Sequence, residues 1–195
     1  MLIKRINCRV QENQKEAFHE TQKQWSRLSM VKGFIGQIGG WSHADPLTAC
    51  IYAFWESRKD YDSFMEDVHD EIFDDSGQGN TYTSIDVQLF DGESGENEKD
   101  LLGVLKHSAF MLAILSEGLK GKPGESLVPQ PFFRSGEADA KLVGVSSSLH
   151  TAKAFKLVLT GWTDEASWLQ EVDGCEHFSE GCRLEEEWRV LRKRV

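Results

Sequence analysis

A chain of 195 residues, 39% of them hydrophobic, has enough apolar material for one large domain or two small ones. Its 32 acidic residues against 22 basic ones give a formal charge of −10, which disfavours a nucleic-acid partner. No apolar run approaches the roughly 20 residues needed to span a bilayer, and no secretory leader is recognisable, so a cytoplasmic protein without a membrane partner is expected.

Residues 2–10 read as a first strand. From 11 to 31 the spacing turns helical, with Phe18, Trp25 and Leu28 on one side and Gln14, Lys15, Gln22 and Lys23 outward. Lys32-Gly33 ends that helix, because glycine supplies the left-handed residue that a helix C-terminus favours. Residues 34–41 form a second strand in which Gly36, Gly39 and Gly40 suggest a bulge or a close approach by a backbone or a ligand.

Residues 50–73 carry the clearest pattern. The stretch 50–55 is almost wholly apolar or aromatic, as in a covered strand. From Arg58 onward Tyr61, Phe64, Met65, Val68 and Ile72 recur at spacings of three and four, so one helical stripe faces a core. Ser57 is a natural N-cap for this helix. Residues 82–90 alternate as a fourth strand, which completes the order β-α-β-β-α-β of a ferredoxin-like unit.

An echo follows at an offset of 107. In LVLTGWTDEASWLQEV, residues 157–172, Trp162 stands where Trp55 does, Trp168 where Tyr61 does and Val172 where Met65 does. Ile35 and Ile38 map onto Leu142 and Val145, and residues 2–10 onto 109–117. One shift through four elements argues for a tandem repeat. The expected organisation is a first unit over 1–91, an acidic linker over 92–107 and a second, degenerate unit over 108–195 with its last strand at 184–191. Pro123, Pro129 and Pro131 make a first helix over 118–139 improbable there. The fold class expected is α+β: two antiparallel four-stranded sheets, helices outward, closed on each other as an intrachain barrel. Monomer and homodimer both remain open.

Gly33-Phe34 leading into a glycine-rich strand, followed by Phe54-Trp55-Glu56-Ser57 opening the second helix, resembles the antibiotic-biosynthesis monooxygenase group of the dimeric α+β barrel superfamily. The whole chain is similar to an uncharacterised YdbC-like bacterial family. The superfamily includes cofactor-free quinone-forming oxygenases and haem-degrading oxygenases, with ligands held between the sheet and its helices. Of the residues used by the haem-degrading type, Asn7 matches one, while the Trp position holds Phe64 and the His position falls near Asp74. The resemblance therefore implies chemistry without a cofactor.

Asn7 and His69 are the candidate catalytic residues: an orienting donor, and an imidazole able to take a phenolic proton. Trp25, Trp41 and Phe64 are candidate walls for a small aromatic or lipophilic molecule. Cys175, His177 and Cys182 match no standard zinc spacing, so no metal site is expected. Residues 118–124, GLKGKPG, lack the spacing of a phosphate-binding loop. Two functions follow: cofactor-independent oxygenation of an aromatic or quinol-like substrate, or non-catalytic ligand binding, as in a stress-response module.

Overall fold

The computed structural model describes residues 1–92, 98–118, 141–148, 154–175 and 179–193. In chain order the first half contains β1 (Leu2–Val10), α1 (Lys15–Gln22), β2 (Phe34–Ser42), β3 (Thr48–Trp55), α2 (Arg58–Asp67), α3 (His69–Ser76) and β4 (Tyr82–Gly92). Next come α4 (Glu98–His107), β5 (Phe110–Gly118), β6 (Lys141–Ser148), β7 (Ala154–Trp162), α5 (Glu165–Gly174), β8 (Ser179–Leu184) and the short β9 (Val190–Leu191).

The strands run β3-β1-β4-β6-β7-β5-β8-β2, and β2 pairs back onto β3, so eight antiparallel strands close into a barrel. Two seams join the halves. Phe90–Gly92 of β4 pair with residues 146–148 of β6, and Gly40–Ser42 of β2 pair with residues 182–184 of β8. Closure leaves the barrel strands without a free edge. It also explains why TACIYAFW in β3 lacks polar alternation: both of its faces are covered, and every residue after Thr48 is buried.

Inside the barrel, Tyr52, Phe54, Phe90, Met111, Leu157 and Leu159 form a continuous apolar core. Outside it, Leu28, Trp55, Tyr61, Phe64 and Ile72 pack beneath the helices of the first half. Leu112, Trp162 and Trp168 pack beneath α5. Ser57 caps α2 as expected, its hydroxyl accepting from the Asp60 backbone N–H at 3.1 Å. The expected single helix is broken at Val68, whose φ of −131° parts α2 from α3. Helix α1 likewise gives way to tighter 3-10 turns from Lys23 to Met30.

Two further expectations are corrected. Residues 98–107, placed in a linker, form helix α4, whose Leu101, Val104 and Leu105 are buried in the barrel core; the acidic stretch before them had masked their helical spacing. The closing strand is β8 at Ser179–Leu184 rather than 184–191. The apolar residues that suggested the later position serve the first half. Trp188 packs on Phe18 and Trp41, with ring centroids at 5.7 and 5.2 Å, and β9 pairs with Gly36 and Gln37 of β2. Apart from Gly118, which ends β5, the proline-rich stretch 118–139 lies outside the described residues.

Candidate functional site

Strand register builds the site's floor. Lys4 of β1 and Gln37 of β2 both pair with Ala53 of β3, so the three residues form one row across the sheet. Side chains in such a row point to the same face, here the face beneath the helices. Ala53, with only a methyl group, leaves the space between its two long neighbours unfilled. Trp55 stands two residues further along β3 on that face.

Above this floor lies a cavity of about 290 Å³, near the lower end of the range typical of small-molecule sites. Trp25 walls it from the turns after α1, Phe64 and Met65 from α2, and His69 and Phe73 from α3. Phe64 stacks on Trp55 at 4.8 Å, and the His69 ring lies 5.6 Å from both Trp25 and Phe64 and 5.9 Å from Phe73. One end is tied by a polar relay in which Trp25 Nε1 donates to Gln78 Oε1 and Gln78 Nε2 donates to Gln22 Oε1, both at 2.7 Å. At the other side Ile85 and Val87 of β4 form an exposed apolar rim.

The polar content of the cavity is unusual. Lys4 is only 8% exposed, and burial pushes its pKa down from 10.5 to about 8, an effect slightly opposed by Cys8. Its Nζ lies 5.3 Å from the centre of the Tyr61 ring. Among the described residues no Asp or Glu lines the cavity. The Gln37 Nε2 and Trp55 Nε1 groups are buried without a hydrogen-bond acceptor. Burial pushes the Cys8 thiol up to about 12, Lys4 partly opposing, so Cys8 is a neutral wall residue.

Three of the expected site residues, His69, Trp25 and Phe64, meet in this cavity. The other two do not. Asn7 is odd-numbered on β1, opposite in facing to Lys4, Ile6 and Cys8, and it points into the barrel. There its Nδ2 donates to Glu180 Oε1, so it shares no site with His69. Glu180 also receives Arg5 Nη2 at 3.0 Å, Tyr52 Oη at 2.7 Å and Cys50 Sγ at 3.1 Å. This cluster joins the two halves through the closed core. Trp41 faces the helices but lies beyond the cavity, sandwiched by Phe18, Trp188 and the Lys15 ammonium.

His69 Nδ1 bonds Asp70 at 2.8 Å, and Nε2 carries no bond among the described residues. Cys182 is buried inside the barrel and Cys175 ends α5, while His177 lies outside the described residues. Lys4, Gln37 and Trp55 were not anticipated as site residues. For Lys4 a signal was present: Lys4-Arg5 places two cations side by side, and so on opposite faces, in an expected strand.

Among the described residues no helix is long and apolar enough to cross a membrane. The chain shares its α+β barrel fold with several solved proteins. Two solved proteins each described as a "putative monooxygenase" superimpose on all of it. One, from Lactobacillus acidophilus NCFM, gives a TM-score of 0.58 at 11% identity over 97% of that protein. The other, from Fusobacterium nucleatum subsp. nucleatum, gives 0.61 at 10% identity over 95% of that protein. An anthrone oxidase-like protein gives 0.60 at 10% identity, covering 95% of this chain and 91% of its own. At such identities the likeness is one of fold. Residues 2–90 match the family model for a domain of unknown function, DUF4937. The uncharacterised protein YdbC of Bacillus subtilis (strain 168) is 44% identical over 110 residues, which make up 55% of this chain and 88% of YdbC. With that degree of identity over nearly the whole of the relative, the chain belongs to the YdbC family.

Proposed function

We propose that this protein binds a small aromatic molecule in the cavity between its first-half sheet and helices. The observation that carries the reading is the cavity itself: about 290 Å³ of unfilled space roofed by Trp25, Phe64, His69 and Phe73. Flat π-systems favour offset or edge contacts with such rings, each contributing roughly 0.5–1.5 kcal/mol beyond apolar burial. The test is binding of two-ring aromatic probes by calorimetry. Affinity should fall when Ala53→Leu fills the floor, and the absence of binding by any such probe would remove the reading.

A second reading adds cofactor-independent oxygenation of a quinol-like ligand. It is supported by the placement of His69 in the cavity wall and by the descriptions of the fold neighbours as monooxygenase or oxidase-like. With Nδ1 held by Asp70, His69 has Nε2 free to accept a phenolic proton. The resulting electron-rich phenolate is the species that reduces dioxygen. Oxygen uptake on hydroquinone-type substrates, lost in His69→Ala while binding persists, is the expected result. Binding with no uptake at any pH would leave the non-catalytic module as the function.

A further inference from the structure

We propose that the ligand of this cavity is an aromatic acid, a flat apolar body whose negatively charged oxygen is received by Lys4, Gln37 and Trp55. The proposal deepens the small-molecule reading above and rests on it.

Three side chains from three adjacent strands line this cavity, and their donors have no acceptor among the described residues. Lys4, Gln37 and Trp55 are 8%, 3% and 1% exposed. Folded proteins seldom leave such groups orphaned, because each costs its full desolvation. Among the described residues only Asn7 Oδ1, Gln37 Nε2 and Trp55 Nε1 are buried side-chain atoms without a partner, so two of three cluster at one cavity. Both of these are N–H donors, and the third group beside them is an ammonium.

Their spacing suits one oxygen-bearing group. Neighbouring strands lie about 4.8 Å apart, so the Lys4 and Gln37 backbones stand about 10 Å from each other, with the small Ala53 between them. Two long side chains can converge over that gap from opposite sides. Trp55 lies one side-chain repeat along β3, on the same face of the sheet.

Charge selects the sign of the ligand. Among the described residues, no Asp or Glu lines the cavity. The other buried cation on β1, Arg5, is paired with Glu180 inside the barrel, so the fold can supply a carboxylate to a buried cation. It does not do so at Lys4, whose nearest compensation is the face of Tyr61. A cationic ligand would be repelled here, and a plain hydrocarbon would leave all three donors orphaned. An ionised oxygen satisfies them together, and the aromatic roof takes the remainder of the molecule.

The test compares 2-naphthoate, 2-naphthol and the uncharged 2-naphthamide by calorimetry, on wild-type protein and on Lys4→Met, Lys4→Arg and Gln37→Leu. The expected result is naphthoate binding roughly 10- to 100-fold more tightly than naphthamide at pH 7. Lys4→Met should erase that preference by weakening naphthoate far more than naphthamide, while Gln37→Leu should reduce it and Lys4→Arg should retain much of it. Naphthol binding that is weakened by Lys4→Met would support the proposal with the phenolic oxygen in the carboxylate's place. Equal binding of naphthoate and naphthamide, insensitive to Lys4→Met, would overturn the aromatic-acid proposal and leave the small-molecule reading standing. No binding of any probe would overturn both.

Discussion

Lys4 is a buried ammonium that no carboxylate in its cavity neutralises, and this has a consequence for stability that is independent of any ligand. The folded state holds the Lys4 proton less tightly than the unfolded chain, with a pKa of about 8 against 10.5. Below pH 8 both states carry the proton and the folded state bears the whole cost of burying it. Between about 8 and 10.5 unfolding takes up a proton, so this residue's contribution to stability rises with pH across that window. Lys4→Met should therefore be more stable than wild type at pH 7, by about 1–3 kcal/mol in urea unfolding. The gap should close by pH 10.5. Taking the difference between the two proteins largely removes the titration of Tyr61 and Tyr82, which face the same space. A variant less stable than wild type at pH 7 would show that the ammonium is already compensated. Glu180 is the converse case. It accepts from Asn7, Arg5, Tyr52 and Cys50 inside the barrel, so Glu180→Ala leaves the buried Arg5 guanidinium with only Gln88 and the exposed Asp86, each at 3.3 Å, and should cost about 3 kcal/mol. Asn7→Ala should cost only about 1 kcal/mol, and it should leave aromatic-probe binding intact because it faces away from the cavity.

Much of the element scale was legible in the chain. Strands β5, β6 and β7 and helix α5 each begin within one residue of where an offset of 107 from their first-half counterparts places them. The glycine cluster in β2 was read as a bulge or a close approach, and it provides both. The register shifts between Phe34 and Gly36, and a Cβ at Gly40 would collide with the Arg183 carbonyl of β8. Gly40→Ala should accordingly force the β2–β8 seam apart and lower stability by about 1–3 kcal/mol, read as a drop in the denaturation midpoint with an unchanged slope. An unperturbed midpoint would mean that the seam is dispensable. Less legible were β8 and the facing of Asn7. SEGCRL is too short and polar to announce a strand, while Trp188 and Val190 carry apolar weight that is spent on the first half. The facing of Asn7 depends on a one-residue register, and a slip of one residue exchanges the two faces of a strand that is covered on both. For the same reason periodicity alone brought Trp25, Phe64 and His69 to the site but not Lys4, Gln37 and Trp55.

At the scale of the whole molecule, each half supplies what the other lacks. The inward face of β1–β4 carries Tyr52, Phe54 and Phe90, and these are covered by Met111, Leu157 and Leu159 from β5 and β7, with Leu101 and Leu105 of α4 beside them. That apolar face needs cover, and here the cover comes from the same chain. YdbC of Bacillus subtilis aligns with only 55% of this chain, so a family member can carry much less than the complete barrel. A fragment spanning residues 1–92 would keep the floor and roof of the cavity but expose its barrel face and separate Arg5 from Glu180. Such a fragment should pair with a second copy of itself through that face, because a bare sheet bearing two large aromatics and a tyrosine is far more apolar than a monomer surface tolerates. Sedimentation equilibrium should find a dimer whose dissociation is coupled to unfolding, and adding a separately expressed 98–193 fragment should convert it into a one-to-one complex, since only that partner returns Glu180 to Arg5. A monomeric fragment with a cooperative unfolding transition would mean that the first half is stable without cover, and the barrel would then be an association of independent parts.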